Sequence, residues 1–214
     1  MKYLLRILFH CLFVRPIVLI VMGLNVRHRV RLPIDGPAII AANHNSHLDT
    51  LALMSLFPLS LLRKVRPVAA ADYFFRTPAL AWFSRNILGI IPLARTDQGT
   101  PLEDRLREAF EALSQGDILI VFPEGSRGDP ERVSRFRSGI AFIANNFPEV
   151  PVFPIFLHGM GKALPKGESL LVPLFCDVFV GEPISGIEER EEFMECFGAA
   201  MDGLSQEENL PDWE

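Results

Sequence analysis

With 214 residues, the chain is long enough for one domain with a sizeable core and an appendage. A hydrophobic fraction of 49% and a mean hydropathy of +0.24 are high for a freely soluble enzyme and fit one that works at a membrane. Three widely spaced cysteines, Cys11, Cys176 and Cys196, speak against a disulfide framework or a zinc site and for a reducing compartment.

The formal net charge of −5 is divided unevenly. Residues 1–100 carry 12 Lys+Arg and 4 Asp+Glu, whereas residues 101–214 carry 9 and 22. A basic amino-terminal half beside an apolar segment suits an anionic membrane surface. The acidic half reads equally well as ordinary solvated surface.

From Tyr3 to Leu24 the chain is largely apolar, interrupted by Arg6, His10, Arg15 and Pro16. The stretch without a charge, Pro16 to Val26, is 11 residues, against the ~20 that cross a bilayer as a helix. Arg15 at mid-depth would cost ~2.5–3.5 kcal/mol. Lys2 and Arg6 flank one end and Arg27, Arg29 and Arg31 the other, so the positive-inside rule selects no orientation. The expectation is an interfacial or re-entrant anchor over 1–25, with both ends cytoplasmic, rather than a single span. No A-x-A-like site follows, which argues against a cleaved signal peptide.

Val26 to Leu32 alternates apolar and charged residues and reads as a half-exposed edge strand. Asp35-Gly36 turns the chain into Pro37-Ala38-Ile39-Ile40-Ala41-Ala42, a short buried strand. Asn43-His44-Asn45-Ser46-His47-Leu48-Asp49 then forms a polar turn before a helix that starts with Thr50-Leu51-Ala52. Sites in α/β sheets gather at such turns. Two readings of this stretch stand side by side. Ser46-His47-Leu48-Asp49 has the S-x-x-[DE] form of a capping box, which accounts for Ser46 and Asp49. It does not account for His44, which gains nothing from capping. An ionised Asp49 at the positive end of a helix would instead fix one tautomer of His44 and leave its other nitrogen as a general base.

Further along, Arg66 to Ala70 reads as a strand. Residues 72–76 and 79–83 form an aromatic-rich helical region that fits either core packing or one wall of an acyl-chain groove. Ile90–Leu93 is a short strand ending near Arg95. A helix opens at Pro101 and stops at Gly116, with Leu102, Leu106, Ala109, Phe110 and Leu113 at helical spacing. Asp117 to Phe122 is the clearest buried strand, followed directly by Pro123-Glu124-Gly125-Ser126-Arg127. Gly139–Phe147 reads as helix, 152–157 and 170–180 as strands, and 188–204 as an acidic helix before a loose tail. Alternating strands and helices predict an α/β domain over 26–214: a central, mostly parallel or mixed sheet flanked by helices.

The polar blocks occur in a telling order. His44-x-x-x-x-Asp49 resembles the first motif of the glycerolipid acyltransferases, the family of 1-acylglycerol-3-phosphate acyltransferase. Gly89-Ile90-Ile91-Pro92-Leu93-Ala94-Arg95 looks like the second motif and Phe122-Pro123-Glu124-Gly125-Ser126-Arg127 like the third. Val150-Pro151-Val152-Phe153-Pro154-Ile155 is similar to the fourth, and Phe136-Arg137-Ser138-Gly139 to a segment often found after the third. The resemblance implies acyl transfer from acyl-CoA or acyl carrier protein to the free hydroxyl of lysophosphatidate at the cytoplasmic face of the cytoplasmic membrane. It implies His44 and Asp49 as the catalytic pair. It also implies Arg95, Glu124, Gly125, Ser126 and Arg127 as acceptor-binding residues, and Pro154 as shaping the donor side.

No serine or cysteine here has a nucleophile-elbow setting, so the hydroxyl is expected to attack directly. Backbone N–H groups around Gly125 are candidates for the oxyanion. One departure stands out: many family members carry lysine where this chain has Ala69-Ala70-Ala71-Asp72, which opens the acceptor to other lysolipids such as an aminolipid or lysophosphatidylethanolamine. A non-catalytic lipid-binding protein is the remaining alternative. His44, His47 and Asp49 lack a convincing further ligand for a metal site, and neither a cofactor nor a nucleic-acid partner is expected.

Overall fold

The computed structural model describes residues 2–94, 99–128, 134–163 and 175–207. Its centre is a seven-stranded sheet built from β1 (Asn25–Arg27), β2 (Ala38–Ala42), β3 (Val65–Ala70), β4 (Ile91–Leu93), β5 (Ile118–Val121), β6 (Val152–His158) and β7 (Asp177–Val180). The order across the sheet is β1-β7-β6-β2-β5-β3-β4. Neighbours run parallel except β6 and β7, so the sheet is mixed, as the alternating pattern predicts. β2 sits between β5 and β6 and is buried along its whole length, which is why Ala38-Ile39-Ile40-Ala41-Ala42 carries no polar alternation.

Its side chains divide between two cores. Ala38, Ile40 and Ala42 face one layer with α2 (Leu48–Ser55) and α7 (Met160–Ala163). Ile39 and Ala41 face the other, with α5 (Leu102–Ser114), α6 (Gly139–Asn146) and α8 (Arg190–Gln206). The short helices α3 (Ala71–Phe74) and α4 (Pro78–Phe83) link β3 to a π-helical turn, Ser84–Leu88, that leads into β4.

The amino-terminal segment is one continuous helix, α1 (Lys2–Val21), long and apolar enough by length and composition to cross a membrane. It lies along the first core layer. Arg6, His10, Val14, Val18 and Met22 are buried at strict four-residue spacing. In a pure α-helix that stripe would drift by about 40° per step. Two π-helical stretches, His10–Val14 and Ile17–Val21, widen the turn and keep the stripe facing inward. Bonds run along the helix's length: Tyr3 Oη donates to the Leu59 carbonyl (2.8 Å), Arg15 to Phe57 O (3.3 Å), and the Cys176 N–H to Met22 O (3.2 Å). The opposite face leaves Leu4, Leu5, Leu8, Leu12, Phe13, Leu19 and Ile20 exposed.

Arg6 does the least expected work. Its guanidinium is buried and donates to the carbonyls of Val65 (2.7 Å) and Leu88 (3.1 Å). Burial, with Arg66 nearby, pushes it down to about 10. A cation suits the carbonyl end of the Ser84–Leu88 turn. Directly above it Gly89 has φ +74, and a Cβ there would lie 2.5 Å from Arg6 Nη1. Glycine at the head of Gly89-Ile90-Ile91-Pro92 is thus required twice over, by backbone conformation and by Arg6.

Two sequence expectations change. The strand over 26–32 is only β1, because His28 turns left-handed (φ 54) and Arg29–Arg31 is a single 3₁₀ turn. Side-chain bonding accounts for the turn: His28 Nε2 meets Glu207 Oε2 at 2.6 Å, and Arg31 bonds the Val180 carbonyl and Glu182. Of the strand expected over 170–180, β7 forms Asp177–Val180 and residues 175–176 precede it as irregular chain; residues 170–174 lie outside the described residues.

Candidate active site

The carboxyl ends of β2 and β5 deliver the polar turns to one place. Asn43 closes β2 by pairing with its neighbour strand: its Nδ2 donates to Leu157 O (2.9 Å), and the Leu157 N–H donates to its Oδ1 (2.7 Å). The chain then turns, and α2 starts one turn later. Asp49, fully buried in the first turn of α2, points Oδ2 back into the loop. That oxygen accepts from the N–H groups of Asn45 (2.7 Å) and Ser46 (2.8 Å) and from His44 Nδ1 (2.8 Å). The capping reading is therefore realised in part, since the Asp49 carboxylate does reach back to Ser46, but the same oxygen also holds the imidazole.

An acceptor-only oxygen at Nδ1 selects the tautomer of the neutral imidazole that carries its proton there, with Nε2 as the acceptor nitrogen. Among the described residues Nε2 has no partner, and His44 lines a cavity of about 830 Å³. Phe122, the residue after β5, stacks on the imidazole at 4.0 Å and 19° between planes, which fixes the ring's other degree of freedom.

The third polar block wraps this turn from β5. Glu124 is 3% exposed, and its carboxylate accepts from the His44 N–H (2.8 Å) and the Ser134 N–H (3.1 Å). Burial pushes its pKa upward, partly offset by these bonds. The Gly128 N–H returns a bond to the His44 carbonyl (2.9 Å). Gly125 has φ +74 and packs against the Arg137 side chain, where a Cβ would meet Nε at 3.0 Å. Its N–H is taken by Phe122 O (2.9 Å). The main-chain N–H groups of Ser126 and Arg127 have no partner among the described residues.

The cavity wall is mixed. Gly125, Ser126, Arg127, His47 and Arg76 supply polar lining, and Leu51, Val68, Phe74, Leu80, Phe83 and Leu93 supply apolar lining. The aromatic stretch 72–83 thus forms wall rather than core alone. His47 stacks on Tyr73 (5.2 Å, 24°) with its Nε2 3.2 Å from the phenol oxygen, and Arg76 covers the other ring at 5.1 Å. Burial and then the Arg127 charge lower the His47 pKa. Arg127 has no ion pair among the described residues, and neither does Arg76.

Not every expected residue converges. Arg95 lies outside the described residues, two positions past Leu93 on the cavity wall. Pro154 does not line the cavity: it is buried in β6 opposite Ala41, and its carbonyl accepts from Gly181 N–H (2.8 Å) just past the end of β7. A proline is tolerated there because the ladder between β6 and β7 reaches only to Ile155. Sequence reasoning missed Phe122 as the ring support and Tyr73 and Arg76 as polar lining. Only the helical proximity of Tyr73 and Arg76 hinted that they share a face.

Residues 23–158 match the family model described as Acyltransferase. The chain belongs to the Acyltransferase family. It is 33% identical over 165 residues to the chloroplastic 1-acyl-sn-glycerol-3-phosphate acyltransferase of Arabidopsis thaliana, a match covering 76% of this chain and 44% of that protein. It is 34% identical over 168 residues to the N-acylphosphatidylethanolamine synthase of the same plant, covering 71% of this chain and 57% of the other. The chain therefore spans about half the length of these curated relatives. Among solved structures, the 1-acyl-sn-glycerophosphate acyltransferase PlsC of Thermotoga maritima shares the fold, with a TM-score of 0.69 at 24% identity, over 88% of this chain and 73% of that one. All four polar blocks of this Acyltransferase chain fall within or at the edge of the matched region.

Proposed function

We propose that this chain transfers a fatty acyl group from acyl-CoA or acyl carrier protein to the free hydroxyl of 1-acylglycerol-3-phosphate, forming phosphatidate. The observation that carries the reading is His44, held through Nδ1 by a buried carboxylate and lining a cavity whose wall combines polar and apolar side chains. In this reading Nε2 takes the proton of the acceptor hydroxyl as its oxygen attacks the thioester carbonyl. The tetrahedral oxyanion is met by the Ser126 and Arg127 N–H groups. Collapse breaks the carbon–sulfur bond, and the thiolate leaves with the proton from His44. Arg127, with Arg95, holds the acceptor phosphate; arginine matches phosphate with two parallel donors. The apolar wall takes the acyl chain.

The same reading places the chain on the cytoplasmic face of the membrane, with α1 lying in the interface. The helix is docked on the domain over its length and turns its apolar face outward, a geometry that suits lying on a bilayer better than crossing it. A second acceptor class has a specific basis. Ala70 lines the cavity in the segment where the family resemblance leads one to expect lysine, and one relative of comparable identity is named for N-acylphosphatidylethanolamine synthesis. The test is a panel of acceptors and donors with the purified protein, read by mass spectrometry of the lipid products. Phosphatidate formation supports the reading; acylation of ethanolamine lipids alone would replace it.

A further inference from the structure

The geometry points to Glu124 as a positioning residue that holds the His44 turn in its working shape, rather than as a ligand for the acceptor. Its side chain reaches from the end of β5 to the main chain on the far side of the loop. One oxygen accepts the N–H of His44 itself (2.8 Å), and the other accepts the N–H of Ser134 (3.1 Å). With 3% of the residue exposed, and the residue absent from the cavity lining, neither oxygen is presented to a bound lipid.

The connection is reciprocal. The Gly128 N–H bonds the His44 carbonyl (2.9 Å), so the peptide groups on both sides of the His44 Cα are tied to the Pro123–Gly128 segment. Asp49 fixes the imidazole from the side-chain end, and Phe122 fixes its plane. Glu124 supplies what remains, the position of the Cα from which the ring projects. A carboxylate suits this task because it accepts two separate N–H groups with no donor of its own to leave unsatisfied. Burial makes each of these bonds costly to lose. A shift of about 1 Å in a reacting group is worth ~10²-fold in rate, so a residue that touches no substrate can still govern turnover.

This inference rests on His44 acting as the base, and the experiment separates the two. Glu124→Gln keeps size and one acceptor but sets an amide NH₂ against an N–H group. Glu124→Asp keeps the carboxylate but shortens its reach to both N–H groups, and serves with the same expected fall in kcat if the first variant does not fold. With the full chain in detergent and lysophosphatidate as acceptor, Glu124→Gln should lower kcat ~10–100-fold, with the acceptor KM moving less than about two-fold. In a His44→Ala background, assayed at raised enzyme concentration, it should add no further loss, because both changes remove the same thing. Amide hydrogen exchange needs no turnover: residues 43–46 should exchange faster in Glu124→Gln while β2 and β5 stay protected. A raised acceptor KM with kcat held, and a loss that persists without His44, would make Glu124 an acceptor ligand and overturn the proposal. Unchanged exchange at 43–46 would overturn it even if lysophosphatidate proves not to be the substrate.

Discussion

At the turn after β2, His44 has one ring nitrogen on a buried carboxylate and the other open to a cavity. Under α1, His10 is fully buried, and neither of its nitrogens has a partner among the described residues. Both regions bury titratable groups beside the same core layer. In the first, each group is held by directed bonds from two strands and a helix, so burial sharpens geometry. In the second, a histidine simply fills a place in an apolar stripe, and burial only removes its charge. What separates a chemical histidine from a packing one is the pairing of a fixed nitrogen with an open one.

The comparison breaks most readily at Asp49. Asp49→Asn replaces the oxygen that orients Nδ1, so kcat should fall ~10²–10⁴-fold with the donor KM nearly unchanged; steady-state kinetics on the purified protein will show it. An effect below ten-fold would mean that the carboxylate serves α2 and the loop alone.

Arg127→Met comes next. Removing a charge-assisted bond of ~1.5–3 kcal/mol should cost about 10- to 150-fold in kcat/KM for lysophosphatidate. Monoacylglycerol, which lacks the phosphate, should lose little. Equal losses on both acceptors would assign Arg127 to the oxyanion or to the loop instead.

The seam under α1 should respond in stability rather than rate. Arg6→Met takes a charged donor from the carbonyls of Val65 and Leu88, partly compensated by relief of a buried charge. The expected loss is ~1–3 kcal/mol, or roughly 2–12 °C in Tm by calorimetry. A fall in kcat per folded molecule comparable to that of Asp49→Asn would erase the distinction between the two regions.

A smaller effect follows from His10. Burial, then the Arg6 and Arg15 charges, push its imidazole down to about 4, against ~6.5 in an unfolded chain. The unfolded chain then takes up the proton first as pH falls. His10 therefore costs nothing above pH ~6.5 and erodes stability from there toward pH ~4. His10→Leu should flatten the Tm profile across that window; an unchanged slope would place the acid sensitivity elsewhere.

Much of this was legible in the residues. Continuous apolar runs located β2 and β5, because both strands are buried on both faces, and helical spacing of apolar residues located α5. The polar turns were legible because charged and amide side chains between two apolar runs have no packing explanation. Three things were not. The role of Glu124 depends on Ser134 and His44, ten and eighty positions away, and no local pattern encodes such a bond. The strand ending at Arg27 is cut short by His28 and its contact with Glu207, at the far end of the chain. The amino-terminal segment reads as a separable anchor, yet Val14, Val18 and Met22 belong to the same core as β2. Its four-residue stripe is hidden from a search for 3.6-residue periodicity because π-helical turns stretch it.

The most direct test sets the two histidines against each other: His44→Ala and His10→Leu, assayed with lysophosphatidate and acyl-CoA at matched folded fractions. The account predicts that His44→Ala keeps its Tm and loses ~10²–10⁴-fold in kcat, while His10→Leu turns over within about two-fold of the parent chain. Near-normal turnover by folded His44→Ala would contradict it.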